Sequence, residues 1–203
     1  MMRRRLFAAL YETFNKGSEA AGMRDERRQL LANAAGATIE IGAGTGLNVA
    51  HYPEAVTELV LTEPDQFMRR RLLARVDALD RVVQVLDAPA ERLPFPDTTF
   101  DTAVVTLVLC SVPDQQVALE EIARVLKPNG RLLFLEHVRS DDARIAKRQD
   151  RMRPLYNLLG CNPNRATLSA IMASSLQVES VKHGEIPKAP KVERPMIVGT
   201  ARR

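Results

Sequence analysis

The sequence predicts an α/β domain built on a mostly parallel β-sheet. Short apolar runs rich in β-branched residues alternate with stretches whose apolar residues recur at helical spacing. This alternation is typical of βα units, in which a helix returns the chain to start the next parallel strand. With 203 residues, 45% of them hydrophobic, the chain is long enough to bury one full core. A single domain over residues 1–203 is therefore expected.

Seven strands are predicted, over residues 38–41, 59–62, 82–86, 102–108, 131–136, 177–181 and 196–200. A helix over 115–126 ends at a K-P-N-G turn, and its apolar face is formed by Ala118, Leu119, Ile122, Val125 and Leu126. Residues 36–138 hold the predicted core, and 177–203 carry the last two strands. Residues 139–176 form an insertion with helices over 143–159 and from about residue 165.

Residues 1–33 are predicted to form one or two helices. Leu6, Leu10 and Phe14 recur at i, i+4, i+8 spacing, which predicts that they pack the first helix on the core. Tyr11 then lies on a neighbouring face. These helices and the insertion are expected to form a lid over the ligand, with apolar residues from Tyr11, Phe14, Met23 and residues 152–159.

Three glycines at alternating positions follow the first predicted strand: Gly42, Gly44 and Gly46. Glycines let a backbone turn sharply and approach a ligand closely. Leu47 stands where the dinucleotide fingerprint G-x-G-x-x-G needs its third glycine. Glu40 precedes the first glycine by two residues and would repel a pyrophosphate but attract an ammonium group. The ligand is therefore predicted to be nucleoside-like and cationic.

The next two strands also end in acidic residues. Glu63 lies about twenty residues beyond the first glycine, the distance at which an acid accepts hydrogen bonds from both hydroxyls of a ribose. Asp87 and Ala88 follow the third run, where a carboxylate and a backbone amide can recognise the edge of an adenine.

Five motifs in order, E-I-G-A-G-T-G, T-E-P-D, L-D-A-P-A-E-R-L-P-F, F-D-T-A-V-V-T-L-V-L and R-V-L-K-P-N-G-R-L-L-F-L-E-H-V, resemble those of class I S-adenosylmethionine-dependent methyltransferases (the methyltransferase type 11 group). The resemblance covers about half the chain. It implies S-adenosyl-L-methionine as cofactor and a Rossmann-like seven-stranded sheet in the order 3-2-1-4-5-7-6, with helices on both faces. The last two strands would be an antiparallel pair.

The resemblance also implies a set of cofactor contacts. The glycine loop would pass beneath the methionine moiety, Glu40 would hold its ammonium group, and Glu63 would hold the ribose. The implied cofactor-binding residues are Tyr11, Glu40, Gly42, Ala43, Gly44, Gly46, Glu63, Pro64, Asp87, Ala88, Thr106 and Leu107.

Three further segments, V-T-L-V-L-C-S-V (105–112), L-E-H-V (135–138) and G-C-N-P-N-R (160–165), resemble the branch that includes thiol S-methyltransferases. This implies a small-molecule acceptor, with thiol sulfur favoured. O-, N- or C-methylation of a small aromatic, quinol or lipid-like metabolite stays open, as does a non-catalytic cofactor-binding module. Residues 109–112, L-C-S-V, lack the D/N-P-P-Y/F pattern that is typical of enzymes that methylate the amino groups of nucleobases. A thiol, with a pKa near ~8.5, also needs little help to ionise.

His137 is the candidate catalytic residue. It follows the fifth strand beside Glu136, and alternation places only one of the two toward the ligand crevice. It is predicted to act as a base or to orient the substrate. Cys110 is interpreted as a small core or pocket residue. Two cysteines so far apart in sequence as Cys110 and Cys161 predict neither a disulfide nor a zinc site, so no metal is expected.

The net charge of +4 comes from scattered basic residues with no interleaved aromatics and no tryptophan, so no nucleic-acid partner is expected. No apolar run approaches the ~20 residues needed to span a bilayer, and no signal peptide is evident. We expect no integral membrane segment and a cytoplasmic location. The oligomeric state is left open.

Overall fold

A seven-stranded sheet runs through the centre of the molecule. Its strands are β1 (Gly36–Ile41), β2 (Val56–Thr62), β3 (Val83–Leu86), β4 (Phe100–Thr106), β5 (Leu126–His137), β6 (Gln177–Glu185) and β7 (Pro195–Arg202). In the computed structural model, which describes residues 2–158 and 160–203, their order is β3-β2-β1-β4-β5-β7-β6. β1 to β5 are parallel to one another, and β7 is antiparallel to both β5 and β6. The predicted fold class and strand order are confirmed.

The helices are α1 (Met2–Ser18), α2 (Arg24–Leu31), α3 (Gln66–Val76), α4 (Gln115–Val125), α5 (Ala143–Leu158) and α6 (Thr167–Ala173). Residues Glu19–Met23 join α1 to α2 through a kink at Gly22, whose φ is +132°. Asp65 and Asp114 begin α3 and α4 as N-caps, because each carboxylate accepts hydrogen bonds from two backbone N–H groups of the first turn.

Two apolar layers cover the sheet. On one face, Ile39, Val105 and Phe134 pack with the apolar residues of α4 and α6. On the other face, Val104 and Leu135 pack with residues of α2 and α3. Since successive side chains of a strand point to opposite faces, Glu40, Thr106 and His137 belong to the α2/α3 face and Glu136 to the other.

The first helix packs differently from the prediction. Leu10 is 37% exposed and Phe14 is 69% exposed, so their predicted packing on the core is wrong; the side chain of Leu6 lies outside the described residues. The inward face carries Ala8, which is buried, and Tyr11. An ion pair of 3.0 Å between Glu12 and Arg75 ties this helix to α3. Both faces carry apolar residues at helical spacing, so the periodicity alone could not choose between them.

Several element bounds also differ from the prediction. Strand β5 already begins at Leu126, which pairs with Phe100 before the chain loops out and pairing resumes at Arg131. Strand β6 is longer than predicted and ends at Glu185, and α6 begins at Thr167. Residue 159, the predicted end of the first insertion helix, lies outside the described residues. Among those that are described, no helix has both the length and the apolar character to cross a membrane.

Candidate active site

The glycine loop after β1 borders an open space at one position. Gly42, Gly44 and Gly46 all have positive φ, at +66°, +58° and +84°. A Cβ on Gly42 would lie 2.7 Å from a methyl of Val108, and one on Gly46 would lie 2.7 Å from a methyl of Leu72. A Cβ on Gly44 would meet no atom within 4 Å. The outer glycines are therefore needed for packing, whereas Gly44 leaves its backbone open to a ligand.

Glu63 ties the glycine loop to the end of β2. Its carboxylate accepts hydrogen bonds of 2.8 Å from the backbone N–H groups of Gly44 and Asp65. Burial raises the pKa of Glu63 above its ordinary value, and the two hydrogen bonds oppose this shift. A carboxylate can accept about four hydrogen bonds, so both oxygens retain the capacity to accept from ligand hydroxyls.

Glu40 is buried beneath the same loop. Its two oxygens accept hydrogen bonds from Asn48 Nδ2 at 2.8 Å and from the Tyr52 hydroxyl at 2.7 Å. Burial raises the pKa of Glu40 to about 7, against the lowering effect of these hydrogen bonds and of the Arg27 charge. The group therefore changes its charge near neutral pH.

Arg27 of α2 places a buried guanidinium beside this carboxyl. Its Nε lies 3.0 Å from a carboxylate oxygen of Glu19, and one NH group donates to Asn48 Oδ1 at 3.1 Å and to Thr106 Oγ1 at 3.0 Å. Asn48 therefore bridges the guanidinium to Glu40. A buried cation next to a carboxyl matches the zwitterionic end of an amino acid, such as the methionine moiety of the cofactor.

Sequence reasoning missed Arg27, Asn48 and Tyr52. A weak signal for Arg27 does exist, because Met23, Leu30 and Leu31 lie at helical spacing from it and are all buried. A charged residue on the apolar face of a helix indicates an internal partner.

Tyr11 brings α1 over the site. Burial raises the pKa of its hydroxyl, and the charges of Arg27, Cys110 and Glu63 all act on it. These charged groups come from α2, the segment after β4 and the end of β2. Groups from both the glycine-loop side and the β4 side therefore influence the ionisation of the Tyr11 hydroxyl.

The segment after β4 turns sharply at Leu107, whose φ is +59°. The backbone N–H groups of Val108 and Leu109 both donate to Glu136, at 2.8 and 3.0 Å. Glu136 is fully buried, and burial raises its pKa to about 8. Of the adjacent pair at the end of β5, Glu136 thus holds the backbone turn, and His137 lies on the face that carries Glu40.

The remaining implied cofactor residues lie near the same edge of the sheet. Pro64 is exposed and Ala88 is buried. The carboxylate of Asp87 pairs with Arg69 at 2.7 Å, and Arg69 also donates to the carbonyl of Glu63. This arginine links the ends of β2 and β3.

Cys110, His137 and Cys161 come together at the carboxyl ends of β4 and β5, although the separation of the two cysteines in sequence predicts no common site. The two Sγ atoms and a ring nitrogen all lie within 4.8 Å of one another, and Cys161 Sγ lies 3.1 Å from His137 Nε2. The insertion is fixed to this place because the backbone N–H of Asn162 donates to the carbonyl of Cys110 at 2.9 Å. The separation of these three residues in sequence gives no indication that they lie close together in space.

The three groups of this cluster influence one another's ionisation. A hydrogen bond with Cys161 lowers the pKa of Cys110 well below its ordinary value although burial opposes it, and the pKa of Cys161 is raised by the same contact. Burial lowers the pKa of His137, but the charge of Cys110 and the hydrogen bond with it outweigh burial and raise the pKa to about 9. The proton affinities of the three side chains therefore depend on one another.

Comparisons with known proteins agree with this geometry. A family model described as a methyltransferase domain matches residues 39–134. The thiol S-methyltransferase TMT1A of Homo sapiens is 31% identical over 194 residues, which cover 88% of this chain and 79% of that protein. A phosphatidylethanolamine N-methyltransferase of Cereibacter sphaeroides is 30% identical, covering 75% of each. A solved S-adenosylmethionine-dependent methyltransferase of Thermotoga maritima has the same fold, with a TM-score of 0.71 at 22% identity, over 98% of this chain and 96% of that one.

Proposed function

Because the chain belongs to the S-adenosylmethionine-dependent methyltransferases, we propose that it transfers a methyl group to the sulfur of a small thiol. The observation that carries the proposal is the similarity to a thiol S-methyltransferase over 88% of this chain. That similarity covers more of the chain than residues 39–134 matched by the family model, which supports the assignment of the acceptor as well as of the cofactor.

We propose that the buried charges hold the methionine end of the cofactor. Glu40 would accept from its ammonium group, and Arg27 would donate to its carboxylate, since a charge-assisted hydrogen bond is about twice as strong as a neutral one. The open space at Gly44 would receive the chain between them. Glu63 would accept from the ribose hydroxyls, with Pro64 beside the adenine and Asp87 and Ala88 at its edge.

The cofactor, when bound, supplies a methyl group already activated by a positively charged sulfur. The protein's task is then to hold the acceptor in line and to exclude water, which can contribute several kcal/mol. The backbone at Thr106 and Leu107 would line the methionine side of the reacting position. His137, at the neighbouring strand end, would orient and activate the acceptor thiol.

We propose that α1, α2 and the insertion of residues 139–176 together form a lid over this position. Tyr11 supports this role, because charged groups on both sides of the crevice affect the pKa of its hydroxyl. Phe14, Leu155 and Leu158 are exposed apolar residues on the two segments. Met23, by contrast, is 1% exposed and packs in the core, so it is not available to cover a ligand.

Incubation with cofactor labelled in its methyl group, and with separate pools of small thiols, phenols, amines and RNA, tests the acceptor class. We expect label chiefly in the thiol pool. A phenol methylated far faster than any thiol would refute the preference, and label only in RNA would refute the small-molecule assignment.

An amine acceptor is the second candidate, favoured by the similarity to a phosphatidylethanolamine N-methyltransferase over 75% of this chain. Vesicles that contain phosphatidylethanolamine provide its test. Label in the lipid fraction at a higher rate than in any thiol would reverse the order of the two candidates.

A further inference from the structure

Cys110, His137 and Cys161 have the composition of a metal site. Thiolate and imidazole are the ligands that Zn²⁺ prefers in proteins, and two cysteines with one histidine occur in zinc enzymes. In the part of the chain that the structure describes, these three residues form the one such group, and none of them belongs to the cofactor contacts.

The distances suit a tetrahedral ion after small side-chain rotations. With Zn–S of about 2.3 Å and Zn–N of about 2.0–2.1 Å, two ligand atoms of a tetrahedral site lie roughly 3.6–3.8 Å apart. The Sγ of Cys161 is 3.1 Å from His137 Nε2, and all three ligand atoms lie within 4.8 Å of one another. The three ligand atoms are therefore close enough for one ion to contact all of them after side-chain rotation.

The backbone around the cluster is held firmly. The carbonyl of Cys110 accepts from both the backbone and the side chain of Asn162, at 2.9 and 3.3 Å. Arg165 donates to the carbonyl of Leu109 at 2.6 Å. These contacts fix the insertion against the segment after β4, so the two cysteines face each other in a preorganised site.

We propose that Cys110, His137 and Cys161 bind Zn²⁺ and leave its fourth position open for the sulfur of the acceptor thiol. This inference rests on the proposed function, because it names how the same site would activate that acceptor. Three protein ligands with one open position are typical of catalytic rather than structural zinc sites. The carboxylate of Glu193 acts electrostatically on both His137 and Cys161 and would further favour a cation there.

The open position lies where the reaction needs it. Cys110 lies three residues beyond Leu107, whose backbone we propose lines the methionine side of the reacting position. The acceptor thiol releases its proton to solvent when its sulfur binds the ion. Its electron pair then forms a bond to the methyl carbon, and the methyl–sulfonium bond breaks with its electrons returning to the cofactor's sulfur. Zn²⁺ is neither oxidised nor reduced.

Metal content provides the first test. The protein is purified without chelators in the presence of a non-thiol reductant, and zinc is measured by mass spectrometry. We expect stoichiometric zinc in the unmodified chain and its loss in Cys161→Ser. His183→Ala is the matched control for His137→Ala, because His183 lies on the exposed strand β6 and should leave the zinc in place.

Cobalt substitution tests the open position. Co²⁺ bound by two thiolates gives an intense charge-transfer absorption, and a further thiolate ligand should change it. We expect ethanethiol, but not ethanol, to shift this spectrum. A bound ion whose spectrum ignores ethanethiol would contradict the open position.

Activity after metal removal separates the two proposals. Metal-free protein that methylates ethanethiol at the full rate would overturn the zinc site and leave the proposed function standing. Stoichiometric zinc and a thiol-dependent spectrum, without methylation of any thiol, would support the site and overturn the proposed function. A Cys110–Cys161 disulfide in place of bound metal, seen by mass spectrometry of the alkylated chain, would overturn the zinc site.

Discussion

The glycine-loop side and the cysteine–histidine side of the crevice are built in different ways. On the first, Glu40 lies on β1 and Glu63 directly follows the adjacent strand β2, and each has its oxygens engaged by neighbouring side chains or backbone N–H groups. On the second, Cys110, His137 and Cys161 come from three separate segments and face mainly one another. The first side is a polar network whose carboxylates are already hydrogen-bonded within the protein, which suits a ligand of fixed structure. The second is a cluster of thiol and imidazole groups that the proposed Zn²⁺ would complete.

This difference indicates that the residues of the glycine-loop side and those of the cysteine–histidine side can be substituted independently. In the proposed function, the cofactor contacts depend on the sheet and the loop after β1, whereas the acceptor side depends on how the insertion is fixed to β4 and β5. A relative can therefore keep its cofactor and exchange its acceptor, in agreement with the thiol and amine methyltransferases that both resemble this chain.

The largest expected effect is on the cofactor side. Gly44→Leu places a side chain in the open space and should weaken cofactor binding roughly 5- to 150-fold, from about 1–3 kcal/mol of overpacking. Gly160→Leu is the matched control, because Gly160 also has positive φ and open surroundings. Calorimetric titration should show normal affinity for the control only. Equal affinities in both variants would show that the loop does not border the cofactor.

Glu63→Gln should weaken cofactor binding by about 10- to 150-fold, because hydrogen bonds to a charged group contribute about 1.5–3 kcal/mol. Asp87→Asn is the comparison, since that carboxylate is largely exposed and its pair with Arg69 is worth about 0–1 kcal/mol. A larger loss in Asp87→Asn than in Glu63→Gln, measured by titration, would place the dominant contact at β3 instead.

Cys161→Ser should lower the rate of thiol methylation by about 10- to 100-fold, the scale of effects around metal sites. Its cofactor affinity should stay within about twofold of the unmodified protein, because the residue belongs to the other side. The double variant with Glu63→Gln should show additive losses within about 0.5 kcal/mol. Strong coupling between Cys161→Ser and Glu63→Gln would show that the two sides of the crevice are not independent.

Glu40 should make stability depend on pH. Its pKa is raised from 4.5 to about 7 in the folded protein. Between these values the folded state holds a proton that the unfolded state has lost. Stability should therefore fall as pH rises from 4.5 to 7, by at most about 1.4 kcal/mol per pH unit. Denaturant titrations should show a flatter profile for Glu40→Gln in this window. An unchanged profile would mean that Glu40 is ionised throughout.

Tyr11→Phe is expected to have the smallest effect, a loss of about 2- to 10-fold in cofactor affinity, as for one hydrogen bond. Leu10→Ala changes an exposed residue of the same helix and should leave the affinity unaltered. If both variants lose affinity equally, the packing of α1 matters rather than the hydroxyl.

The fold and the glycine-loop side were largely accessible from sequence because their residues lie close together in ordered motifs. Strand order came from the resemblance alone, since spacing carries no information on which strands are neighbours. Arg27 was missed because it stands in a run of charged residues that is typical of an exposed helix. The cluster of Cys110, His137 and Cys161 was missed because only the tertiary fold brings its segments together. Leu10 and Phe14 show the converse, a helical pattern that predicted the wrong inward face.

The position of β7 has a consequence for how the protein is made. β7 pairs with β5 on one side and β6 on the other, and β6 pairs with β7 alone. During synthesis, β6 leaves the ribosome earlier yet has no strand to join until β7 follows. Strands β1 to β5 can assemble first, while β6 has no strand to pair with and its edge stays exposed. A nascent chain that ends between β6 and β7 therefore exposes an unpaired strand edge, and we expect a chaperone to bind the chain at this stage.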